Sequence, residues 1–140
     1  MKGLILFAAV IMLFASCSKP TSWDCNGGTI GDSVRITIAQ GGSVSAFDCY
    51  FRKVVIHFVQ VDDDSRCPSQ VVCVWGGAAG ISLTINDDKT LIPIRLDSTS
   101  IIAVNQDNYV LKFEKLDPYP TGSPINAADY KATLFLQRKK

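Results

Sequence analysis

The chain has 140 residues, 47% of them hydrophobic and 19% charged, with a formal net charge of +1. That length and composition fit one globular domain once any processed segment is set aside. Lys and Arg are scattered apart from the C-terminal Arg138-Lys139-Lys140, so no basic face able to neutralise phosphates is implied, and nucleic acid is excluded as a partner.

The first segment reads as a processed signal. Lys2 precedes the apolar run LILFAAVIMLF, then come Ala15, Ser16 and Cys17, the order of a basic region, an apolar core and a small-residue cleavage site. The run is too short to cross a bilayer, which takes about 20 apolar residues. LFASC, ending at Cys17, resembles the lipobox of bacterial lipoproteins, with Phe14 and Ser16 departing from its strictest form. The resemblance implies cleavage before Cys17 and acylation of that residue, the alternative being an ordinary cleaved secretory signal. Several acyl chains on one residue give stable anchoring. Residues 1–16 are then the signal, 17–22 the lipidated cysteine and its tether, and 23–140 one β-rich domain. Ser18 stands where a signal for inner-membrane retention would place Asp, which favours delivery to the outer membrane.

Five cysteines less Cys17 leave an even set, Cys25, Cys49, Cys67 and Cys73, in a compartment that permits disulfides. Three pairings exist, of which Cys67–Cys73 with Cys25–Cys49 is favoured. The spacings contain no CxxC pair and His57 is the sole histidine, which speaks against a zinc site and a thioredoxin-like redox role.

Trp23 to Cys25 begin the ordered part, and Asn26-Gly27-Gly28 signals a turn. Val34, Ile36 and Ile38 alternate with polar residues as in a half-buried strand. Gln40-Gly41-Gly42-Ser43 breaks that run. Arg52 to Val61 is rich in β-branched and aromatic residues and reads as a central strand with both faces partly covered. Ile81, Leu83 and Ile85 alternate again. Asn86 to Lys89 forms a hairpin turn, and its partner strand, Thr90 to Leu96, carries Pro93, which suits an edge or a bulge. A short strand over Ser98 to Val104 follows, then one carrying Tyr109, Leu111, Phe113 and Leu116. Asp117 to Pro124 is a proline-rich surface loop, Ile125 to Asp129 a single helical turn, and Tyr130 to Leu136 the closing strand. Seven or eight short strands without a sustained helical period predict an all-β fold, an antiparallel sandwich or barrel stapled by disulfides.

The densest stretch is DSRCPSQVVCVWGG, Asp64 to Gly77. A Cys67–Cys73 bridge would fix its shape, and in an extended segment Cys73, Trp75 and Gly77 share a face, so that Trp75 would cover the disulfide. The motif, with the strand after it and with YVLKFEKLDPYPTGSPINAADYKATLFL, resembles a widespread group of small, uncharacterised secreted bacterial proteins and lipoproteins carrying D-S-R-C-P-x(4)-C-x-W-x-G. Gly76 departs from that group, which usually has Ala. The resemblance implies a β-rich domain and carries no activity with it.

Chemical readings of the same residues are weaker. Asp62, Asp63 and Asp64 lack the alternate spacing, glycine and distal Glu of a calcium loop, and a solvated strand end with Asp64 pairing Arg66 explains them. A hydrolytic triad has only His57 as base, and no phosphate-binding glycine loop or paired carboxylate stands out, so no catalytic residue, metal or cofactor is assigned. The sequence therefore points to a non-enzymatic structural or binding module at the cell envelope. Its partners would be the membrane, through its lipid, and an envelope protein or small ligand. The alternative is an inhibitor of secreted hydrolases that presents Arg66 on the disulfide loop, with Arg66 and Trp75 as the recognition residues.

Overall fold

A computed structural model describes residues 21–22, 33–47, 53–104 and 106–139. The signal, Cys17, Trp23, the 26–28 turn and the Cys25–Cys49 pair lie outside the described residues. Among the described residues nine strands follow in order: β1 (Thr21–Ser22), β2 (Ser33–Ala39), β3 (Ser43–Phe47), β4 (Lys53–Asp64), β5 (Ala79–Ile85), β6 (Ile92–Arg95), β7 (Thr99–Val104), β8 (Asp107–Asp117) and β9 (Lys131–Arg138). They form two sheets, ordered β1-β3-β4-β5-β6 and β2-β9-β8-β7. Every pairing is antiparallel except the two-residue β1, which runs parallel to β3. The fold is an all-β sandwich.

Alternation builds the core. In β2 the side chains of Val34, Ile36 and Ile38 are buried while Arg35 and Thr37 stay exposed. Facing them from the other sheet are Val54, Ile56, Phe58, Ile81 and Leu83, all fully buried. Burying each such side chain contributes about 1.5–3 kcal/mol. The uneven spacing of Tyr109, Leu111, Phe113 and Leu116 has a structural cause: a register shift between Phe113 and Lys115 returns Leu116 to the core.

Two expectations change. β3 was not foreseen, because its Ser43, Ser45 and Phe47 blur the alternation that Val44 and Ala46 supply. β4 is central as expected, its inner face buried and the outward Val55 and His57 partly covered, with Val59 exposed. β4 also runs three residues beyond Val61 to Asp64, carried there by two register shifts against β5. Pro93 lies on β6, an edge strand, where a missing amide donor costs no ladder bond inside the sheet. The predicted helical turn is a 3-10 turn at Ala127–Asp129.

Outside the core, polar pairs tie strands of the second sheet together. Arg35 Nε donates to Glu114 Oε2 at 2.5 Å and its guanidinium lies over the Phe135 ring, so one side chain crosses β9 to join β2 to β8. That hydrogen bond and the charge of Arg35 hold the Glu114 carboxyl below its ordinary range.

Candidate functional site

The connection from β4 to β5 is the Asp64 to Gly77 stretch, and it leaves the sheet as a narrow loop closed twice. At its neck the Ser65 amide donates to the Ala78 carbonyl at 2.8 Å, and the Ala78 amide donates to Ser65 Oγ at 3.1 Å. One step further the Cys67 amide donates to the Gly76 carbonyl at 3.1 Å. The Cys67–Cys73 disulfide then closes the outer turn, with Cα atoms 5.9 Å apart. Gly77 permits the neck. Its φ is +71°, and a β-carbon there would collide with the Ser65 carbonyl. Gly76 meets no such limit, having open space where a β-carbon would go.

Beneath the loop lies Arg66. Its Nε and Nη2 donate to the two oxygens of Asp64, both at 2.7 Å, in a bidentate pair. Nη1 donates to the Leu116 carbonyl at 2.6 Å and Nη2 also to the Pro118 carbonyl at 3.0 Å. The Tyr119 ring stacks on the guanidinium at 5.0 Å. The side chains of Arg66 and Asp64 retain only 5% and 7% of their exposure. Burial alone would push the Asp64 carboxyl up, but the hydrogen bonds and charge of Arg66, with the Tyr130 hydroxyl, outweigh it and hold the group below the usual carboxylate range. Arg66 is correspondingly raised by its bond to Asp64.

This corrects the sequence reading of Arg66. Expected on the loop as a recognition residue, it is buried and binds the loop's base to the 116–118 segment, because only there do carbonyls and a carboxylate satisfy its donors. Its pairing with Asp64 is as expected. Trp75 is corrected in the opposite sense. It keeps 70% of its exposure instead of folding over the disulfide. Cys73 to Gly77 is not a strand, so the strand parity that placed Trp75 on the disulfide does not apply.

Much of the exposed surface of the loop is apolar. Val71 is exposed at 56%, Val72 and Val74 fully, and Tyr119 of the neighbouring loop at 50%. The two loops are joined by the Ser69 amide donating to the Pro120 carbonyl at 3.0 Å. Sequence reasoning missed Val72 and Val74. Their signal was a run without a single charged side chain from Cys67 to Ala78.

The three carboxylates before the loop are committed separately. Asp62 accepts from Ser82 Oγ at 2.8 Å and from Gln60 at 3.0 Å, Asp63 faces Arg95 at 3.8 Å, and Asp64 holds Arg66. Among the described residues no group of three or more His, Cys, Asp and Glu side chains converges as metal ligands would. His57 lies at the other end of the sheet, where it pairs with Thr84 across β4 and β5 and lines an open depression with Asp87 and Lys89. Comparison with protein families, curated proteins and solved structures finds no match to this chain.

Proposed function

We propose that the chain is a lipid-anchored, extracytoplasmic, non-enzymatic binding module of the cell envelope, tethered through Cys17 and making contact through the tip of the β4–β5 loop. The anchor rests on LFASC and on the short apolar run before it. Outer-membrane delivery is the preferred destination, from Ser18. The observation that carries the binding role is the full exposure of Val72 and Val74 beside Trp75 on a loop otherwise pinned by a disulfide, a hydrogen-bonded neck and a buried ion pair. A preformed tip loses little freedom on contact, and exposed apolar patches mark contact sites. Membrane binding and disulfides are consistent with one extracytoplasmic setting.

An inhibitor acting through Arg66 fits less well. A protease pocket would have to draw the guanidinium away from Asp64, Leu116 and Pro118. The tethered reading is tested by metabolic labelling with a fatty-acid analogue. The native chain is expected to label and Cys17→Ser not to; a native chain that stays unlabelled beside a labelled control lipoprotein refutes the anchor.

A further inference from the structure

The tip of the β4–β5 loop carries no charged side chain. Val72 and Val74 are as exposed as in an open chain, at 102% and 105%, and Trp75 stands beside them at 70%. Protein contacts draw their strength from Trp, Tyr and Arg, with Val under-represented, and from about ten hydrogen bonds. Here the most exposed side chains are two valines, Trp75 stands beside them and Tyr119 at 50% lies on the neighbouring loop, and Ser69 and Gln70 are the tip's polar side chains besides the Trp75 indole N–H. A bilayer interface needs no matching shape. Aliphatic groups enter its acyl layer and a tryptophan settles at the headgroup level.

The charges around the base select the lipid. Arg95 faces Asp63 at 3.8 Å and Lys115 faces Asp117 at 2.8 Å. Asp62, exposed beside them and held by the neutral Ser82 and Gln60, adds a further carboxylate, so the collar has no excess positive charge to seek anionic headgroups. A zwitterionic surface is the complement.

The geometry also sets an orientation. β1 pairs with Ala46 and Phe47, opposite Val54 and Lys53 at the start of β4, whereas the tip leaves from Asp64 at its end. At ~3.3 Å per residue the two ends of β4 lie roughly 35 Å apart. A tether from Cys17 to Thr21 spans at most about 14 Å. Tether and tip reach one surface when the domain lies along it. The outward face of β4 and β5 between them offers Val55, His57, Val59 and Thr84, with Lys53 at the tether end and Asp62 and Asp63, held by Ser82 and Arg95, at the tip end.

We infer that Val72, Val74 and Trp75 insert into the interfacial layer of a zwitterionic phospholipid bilayer, a second contact that holds the domain flat against the membrane. This rests on the tethered reading above. The test uses the full lipidated chain with Trp23→Phe, which leaves Trp75 as its one tryptophan. It is reconstituted in phosphatidylcholine vesicles with and without bromine in the acyl chains. Trp75 emission is expected to shift to the blue and to lose most of its intensity to bromine, equally at low and high salt. Val72→Asp with Val74→Asp, both at fully exposed positions where the fold is not disturbed, should abolish both effects. Water-like emission untouched by bromine overturns the inference. So does a blue shift without bromine quenching, which would mean burial against protein or a second copy, and so does an aspartate variant quenched like its parent. Failure of Cys17 labelling sinks the tethered reading, whereas a labelled chain with unquenched Trp75 sinks this inference alone.

Discussion

The Tyr130 hydroxyl donates to Asp64 Oδ2 at 3.1 Å across 66 positions of sequence. That oxygen also receives Arg66, whose other donors reach the Leu116 and Pro118 carbonyls, so the residue before β9, the end of β4 and the 116–118 segment meet at one ion pair. The consequence is that the loop's two most chemically suggestive residues have exchanged places: the charged one is structural and the aromatic one is free. Arg66→Ala is therefore expected to cost about 3–5 kcal/mol, the range for breaking a buried pair and orphaning its partner. Trp75→Ala, at a site with 70% exposure, should leave stability within about 0.5 kcal/mol. Chemical denaturation of the two variants measures both. Equal effects would refute the inversion.

The same carboxylate makes stability depend on acid. The Asp64 pKa is lowered in the fold, and the Glu114 pKa is lowered beside Arg35. Stability from a depressed carboxyl is complete above its unfolded value, about 4, and is lost as pH falls through the folded value. Melting temperature should therefore drop below about pH 4. Asp64→Asn should start lower at neutral pH and show a shallower acid decline, because its linked proton is gone. Arg35→Ala should change the profile less, its side chain being 63% exposed and its pair screened by solvent. An Asp64→Asn profile parallel to that of the parent would refute the assignment.

The strands were largely legible, since Val34 to Ile38, Ile81 to Ile85 and Tyr109 to Phe113 each send alternate apolar side chains into a single core. β3 was not, because a five-residue strand with serines at alternate places has too little contrast. The loop was legible in its covalent bridge and in the Asp64–Arg66 pair, both local. Arg66 burial was not, because its remaining partners are carbonyls of Leu116 and Pro118, 50 and 52 positions away. Carbonyls belong to every residue and leave no mark in a sequence. The Trp75 error came from applying a strand's period of two to a turn.

The two glycines of the motif separate cleanly by backbone geometry. Gly77→Ala is expected to cost at least about 1–3 kcal/mol from its left-handed conformation, and more from the collision with the Ser65 carbonyl. Gly76→Ala points into open space and should be neutral or slightly stabilising, by less than about 1 kcal/mol. Melting curves on the two single variants suffice. A Gly77→Ala protein as stable as its parent would show that the neck is not built as described.

The disulfide should matter less to the sandwich than to the tip. A bridge between residues six positions apart removes little freedom from the unfolded chain, about 2 kcal/mol in the loop-entropy account. The neck bonds at Ser65, Ala78 and Cys67 and the Arg66 anchor are all independent of the bridge. Cys67→Ala with Cys73→Ala is therefore expected to lower stability by about 2 kcal/mol while the strands stay folded. Amide exchange should rise over Val71 to Trp75, outside the neck, and stay unchanged in β4 and β5. Exchange spreading into Ile56, Phe58 or Leu83 would show that the bridge, and not the ion pair beneath it, holds that end of the sandwich together.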